Sequence, residues 1–129
     1  MKNIHASGEE YLKWILRLQK QRGFVRNIDL ARHMGYSKAS ITLAIKQLVT
    51  NGFITKDDEG HLLLTDSGYA IAENFNERHR VLTHLLSSLG IDYSIAEADA
   101  CKIEHVISEE SFKKLKELDS LKAEALSAY

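Results

Sequence analysis

Residues 37–65 read SKASITLAIKQLVTNGFITKDDEGHLLLT, and this stretch decides the fold. Ser37 is a good N-cap for a helix from Lys38 to Thr50. Within it Ile41, Ala44, Ile45 and Leu48 recur at helical spacing and form a buried stripe. Ala39, Thr42, Leu43 and Lys46 fall on the opposite face, and Gly52 closes the helix. Two short apolar-rich runs then flank Asp57-Asp58-Glu59-Gly60, the pattern of a β-hairpin with a four-residue turn.

Working back towards the N-terminus, Leu12, Ile15 and Leu16 follow one another at helical spacing, with Tyr11 and Leu18 beside them. Ser7 is the expected cap of that helix and Gly23 its stop. After the short extended piece Phe24-Val25-Arg26, Asn27 is the expected N-cap of a second, short helix that Gly35 ends. Helix, short glycine-bearing turn, helix and hairpin, in this order, predict a winged helix-turn-helix.

The charge distribution agrees with a nucleic-acid surface. The chain carries a net charge of −1, but Arg17 to Lys56 holds eight bases and one acid, a local +7. From Asn76 onward seven bases meet ten acids, a local −3. A basic segment in a near-neutral chain is a candidate polyanion surface, because phosphate neutralisation supplies most non-specific DNA affinity. In such a fold Ser37 and Ser40 stand at the helix N-terminus, where hydroxyl and N–H groups meet phosphate. Ala39, Thr42 and Leu43 face outward, with Leu43 either a thymine-methyl contact or an ordinary exposed leucine. Lys38 and Lys46 are phosphate or guanine candidates, and Arg26 and Lys56 flank the wing.

From Thr65 a long helix is expected to run to about Leu89. Its stripe of Ile71, Phe75, His79, Leu82, Leu86 and Leu89 has His79 as its one polar member. Asp92 or Ser94 is expected to cap a helix from about Ile95 to Ile107, and Ser108 a last one bearing Phe112, Leu115, Leu118 and Leu121. Three helices with that much apolar surface predict pairing with a second copy, and a palindromic DNA partner follows from a two-fold axis. The expected division is a winged helix-turn-helix over residues 1–70 and an all-α dimerisation domain over 71–129.

The stretch EADACKIEHVISEE, residues 97–110, contains the single cysteine. If it is helical throughout, Cys101, Glu104 and His105 share one face, with Glu97 one turn earlier. Thiolate, carboxylate and imidazole together suit Fe(II), Co(II), Ni(II) or Zn(II) better than Mg(II) or Ca(II). One helix supplies three donors at most, and His79 and Glu10 are the candidates for the remainder. Spacing alone leaves a second reading open: Cys101 as a small buried residue, Glu104 as a surface charge, Glu10 as a helix cap.

GEEYLKWIL, SKASITLAIKQLVTNGFI, LLLTDSG, ERHRVL and DACKIEHVISEE, in this order over nearly the whole chain, resemble the diphtheria-toxin-repressor and manganese-transport-regulator family. The resemblance implies a dimeric, metal-activated repressor, in the short two-domain form, that binds a palindromic operator in double-stranded DNA. It implies metal ligands at Glu10, Cys101, Glu104 and His105, with His79 in a neighbouring metal position. It favours Fe(II), with Mn(II) next and Co(II), Ni(II) or Zn(II) as substitutes in vitro. Cysteine at 101 and a base at Lys13 are features of the iron type, whereas a carboxylate at Glu10 is a feature of the manganese type. Thr83 and Glu97 depart from the iron type's second site, which leaves His79, Glu97 and Glu104 for a second ion.

Other classes are disfavoured. No apolar run spans a membrane and MKNIHASGEEYL lacks an apolar signal core, so with one cysteine a reducing cytoplasm is expected. Neither a small-molecule substrate nor catalysis is expected, because no phosphate cradle or oxyanion-hole pattern accompanies Cys101 and His105. The competing regulator is a winged helix that answers to a small ligand or to thiol oxidation.

Overall fold

In the computed structural model, which describes residues 6–127, the order of elements is α1 (Ala6–Arg22), α2 (Asn27–Met34), α3 (Lys38–Thr50), β1 (Ile54–Lys56), β2 (Leu62–Leu64), α4 (Asp66–Ser88), α5 (Tyr93–Ile103) and α6 (Glu109–Ser127). They fall into two units, Met1–Asn74 and Phe75–Tyr129, and the boundary lies inside α4.

The first unit is a winged helix-turn-helix. Its core takes Leu12, Ile15, Leu16 and Leu18 from α1, Leu30 from α2, and Ile41, Ile45 and Leu48 from α3. Val25, Phe53, Ile54 and Leu62 close it from the wing side. The α3 stripe is therefore the one its periodicity predicts. Gly35 ends α2 in the left-handed region (φ 72°), its N–H donating to Ala31 O at 3.0 Å. The start of α2 differs from expectation: Arg26 is the N-cap and Asn27 the first helical residue. The cause is Asp29, whose carboxylate reaches back to accept the Arg26 N–H at 2.9 Å and so sets the boundary one residue earlier. The start of α1 precedes Ser7, so the expected Ser7 cap is not the helix boundary.

β1 and β2 pair antiparallel in the register Ile54↔Leu64, Thr55↔Leu63, Lys56↔Leu62. The turn is the expected Asp57–Gly60, closed by Gly60 N–H to Asp57 O at 3.1 Å. Asp57 Oδ1 accepts the backbone N–H groups of Glu59 (2.9 Å) and His61 (2.8 Å). The hairpin then enters α4 through Thr65, whose Oγ1 donates to Gly52 O at 2.7 Å and accepts from Gly68 N at 3.2 Å. Gly68 is required there, because a Cβ at this position would lie 2.0 Å from Phe53 O.

The second unit is helical: the remainder of α4, then α5 and α6. Val81, Leu85 and Phe112 are its buried apolar centre, with Ile107 and Leu115 packed against them. Leu118 and Leu121, which share the stripe of α6, are 46% and 62% exposed. Asp92, one of the two expected caps, precedes α5, and Ser108 caps α6 by accepting Ser111 N–H at 3.1 Å.

Two outcomes follow. Gly68→Ala forces the entry of α4 away from Phe53 and should cost at least about 1–3 kcal/mol, read by thermal or urea unfolding. The Asp57 carboxyl is held below its ordinary value of 3.8, chiefly by the His61 backbone N–H that it accepts. Its contribution to wing stability is thus complete above pH 3.8 and lost as pH falls through the lower folded value. A carboxyl chemical-shift titration should place the Asp57 midpoint below 3.8.

Candidate metal centre and nucleic-acid face

The second unit brings three donors of different chemistry together. His79 comes from α4, Cys101 from α5 and Glu104 from the turn that follows α5. Their ligand atoms all lie within 4.8 Å of one another. His79 Nδ1 is 3.6 Å from Cys101 Sγ and 3.4 Å from Glu104 Oε2. The other carboxylate oxygen, Oε1, is 3.4 Å from His105 Nε2. His105 is held by its ring, which stacks on Phe75 with centroids 5.0 Å apart. Glu104 is completely buried and His79 nearly so, while Cys101 is a half-buried thiol in no disulfide.

A buried carboxylate is costly unless charge or hydrogen bonds compensate it. Here two imidazoles flank it, and a thiol completes a mixed N, O and S donor set. Bonds of about 2.0–2.3 Å from such ligands converge readily on one ion when the donors are this close. The residues therefore fit a divalent transition metal.

Glu104, still in the helical region (φ −57°, ψ −28°), is the C-cap of α5 and His105 follows in a turn, short of the expected helix to Ile107. α5 stops at Ile103, and Val106 N–H closes a tighter turn on Ile103 O at 3.0 Å. The reason is Arg78, a residue of the ERHRVL motif whose role its spacing did not reveal. Its Nη1 donates to Glu104 O (2.9 Å) and Ile107 O (2.8 Å), and its Nη2 to Glu109 Oε2 (2.9 Å). The guanidinium lies between Phe75 (5.3 Å) and Phe112 (5.4 Å). It satisfies carbonyls that would otherwise call for further helix, and Ser108 is already committed as the cap of α6. An arginine directly before His79, with aromatic residues at 75 and 112, was the available sequence signal.

Glu97 is half-buried on α5 and outside the three-donor group. Thr83 is buried on α4. Glu10 belongs to the first unit, where Lys13 Nζ sits 2.6 Å from Glu10 Oε1. Lys13 itself is completely buried.

The residues expected at a nucleic-acid face lie on the surface of the first unit. Ser37 caps α3 by accepting Ser40 N–H at 3.2 Å, and the two hydroxyls are 3.0 Å apart. Ser37, Lys38, Ala39, Ser40, Thr42 and Lys46 are all exposed, and Leu43 is 59% exposed. Arg26 and Lys56 are exposed beside the wing and on it.

Comparison with known proteins gives two adjoining family matches. The iron dependent repressor N-terminal DNA binding domain matches residues 3–62. The iron dependent repressor metal binding and dimerisation domain matches residues 65–120. The transcriptional regulator MntR of Escherichia coli O6:H1 is 32% identical over 103 residues, covering 80% of this chain and 66% of that protein. An HTH-type transcriptional regulator of Methanocaldococcus jannaschii, MJ0568, is 27% identical over 115 residues, covering 88% of this chain and 92% of its own length. Among solved structures, the IdeR of T. acidophilum superposes with a TM-score of 0.76 at 29% identity, over 91% of this chain and 55% of that one. A manganese-dependent transcriptional repressor in complex with manganese gives a TM-score of 0.80 at 27% identity, over 88% and 52%. The chain thus spans just under two thirds of MntR and about half of these two structures.

Arg78→Met keeps an unbranched apolar stem but removes every hydrogen bond to the Glu104 turn. It should weaken Co(II) binding by about 10- to 100-fold in a spectroscopic titration, the range for residues that orient ligands.

Proposed function

The chain belongs to the iron dependent repressor family, and from that premise we propose that it is a repressor that binds double-stranded DNA as a dimer when loaded with a divalent transition metal. The observation that carries the reading is the thiol of Cys101 beside His79 and the buried Glu104. His79, Cys101 and Glu104 are proposed as ligands, with His105 beside them. Glu10 joins the proposed set on the family resemblance. When bound, the ion supplies the positive charge that balances the carboxylates. Cys101 gives up its proton to bind and His79 offers an unprotonated ring nitrogen, so affinity falls as pH is lowered. Arg78 holds the Glu104 backbone, and Phe75 holds the His105 ring, in the orientation the ligands need. DNA affinity responds to the metal only through the metal's preference for the DNA-competent conformation.

Fe(II) is the proposed metal, because a thiolate donor favours Fe(II) over the harder and more weakly bound Mn(II). Mn(II) is the second reading, supported by the similarity to MntR and to a repressor solved with manganese. The proposed DNA surface is α3 with Ser37, Lys38, Ala39, Ser40, Thr42, Leu43 and Lys46, flanked by Arg26 and Lys56. A palindromic operator matches a two-fold dimer.

The test is anaerobic titration of the full chain with Fe(II) or Mn(II), read as binding to a duplex selected from a random library. Metal should tighten binding by roughly 5- to 150-fold over chelator. Equal affinity with chelator and with either metal would overturn the reading. Cys101→Ala should diminish the Fe(II) response more than the Mn(II) response without lowering the melting temperature. It should also abolish the thiolate-to-cobalt charge-transfer band.

A further inference from the structure

At the base of the wing a polar chain joins Arg26 of the proposed DNA surface to His61 and Asp57, which the proposed function does not use. Phe24-Val25-Arg26 runs beside β2, with Leu62 N–H donating to Val25 O at 2.8 Å. Residues two apart on an extended segment share a side. Val25 turns into the core, while Phe24 and Arg26 flank it and are exposed. His61, at the end of the wing turn, meets both. Its ring stacks on Phe24 with centroids 4.5 Å apart and planes 21° from parallel. Its Nε2 lies 3.4 Å from Arg26 Nη2. On the opposite edge Nδ1 is 2.9 Å from Asp57 Oδ2, with Glu59 Oε2 at 3.7 Å.

The donor inventory orders this chain. A carboxylate only accepts, so Nδ1 carries the proton and donates to Asp57. Nε2 is then left with a lone pair, and a guanidinium, which only donates, supplies the hydrogen bond to it. Asp57 is itself fixed by the Glu59 and His61 backbone N–H groups, and His61 is 8% exposed. A rigid anchor therefore ends in an exposed arginine within the basic segment.

We propose that His61 is a positioning residue for DNA binding: neutral and anchored by Asp57, it holds the Arg26 guanidinium at the base of the wing to meet a DNA phosphate. This rests on the DNA-binding reading given above. Arg26 without its acceptor samples many rotamers, and that freedom must be lost on binding.

The experiment measures binding of the metal-loaded full chain to a fluorescein-labelled duplex of mixed sequence across a salt series. Arg26→Gln should weaken binding about tenfold, as for loss of one charge-assisted hydrogen bond. It should also flatten the dependence of log affinity on log salt by about 0.9, the value for one phosphate. His61→Phe keeps the stack on Phe24 but loses both nitrogens, and should weaken binding about three- to tenfold with an unchanged melting temperature. The double variant should bind no worse than Arg26→Gln alone, since His61 acts through Arg26. His61→Gln, whose amide oxygen replaces Nε2 as acceptor, should restore affinity to within about twofold. Parental affinity in His61→Phe, additive losses in the double variant, or no rescue by His61→Gln would each overturn the proposal while leaving DNA binding intact. A parent chain without salt-dependent affinity for the duplex would overturn the DNA-binding reading and this inference together.

Discussion

Burial of one carboxylate constrains the second unit more than any other feature. Glu104 is withdrawn completely from water, so its environment must hold charge or protons that compensate it. His79 and His105 stand at its two oxygens. The backbone leaves the helix just after Glu104, and Arg78 takes the carbonyls of Glu104 and Ile107 there. Phe75 and Phe112 in turn enclose the guanidinium, and Phe75 also stacks on His105. A ligand set, a helix terminus and a small aromatic core are thereby one cooperative construction, and loss of any member loosens the others.

In the first unit the corresponding polar feature is the Glu10–Lys13 pair on α1. A lysine buried to this degree is retained only with its charge compensated, and a carboxylate one helical turn away does so. The wing uses a gentler version of this logic: Asp57, His61 and Arg26 alternate acceptor and donor along a chain that ends at the surface.

Much of this was legible in the residues because it is local. The stripe Ile41, Ala44, Ile45 and Leu48 predicts the buried side of α3, and Asp57–Gly60 predicts the turn of the wing. Gly35 predicts the end of α2, and Ser108 the start of α6. What escaped was set from a distance or by competition between neighbours. Asn27 reads as a cap on its own, but Asp29 moves the boundary to Arg26. Residues 95–107 read as one helix, but α5 ends at Ile103, and Arg78, 26 positions before Glu104, takes the Glu104 carbonyl. Glu97, on the same nominal face as Cys101, falls outside the donor cluster.

Hydrophobic periodicity, turn chemistry and motif order therefore determined the architecture: a winged helix-turn-helix followed by three helical segments, with a mixed thiol, carboxylate and imidazole set near its end. These are properties of residues within a turn or two of one another, where side-chain direction follows from spacing. Tertiary structure alone decided which donors meet, that Glu104 is buried rather than a surface charge, and that His61 links Asp57 to Arg26. Each of these depends on side chains far apart in sequence competing for the same buried hydrogen bonds, and no local pattern encodes the outcome of that competition.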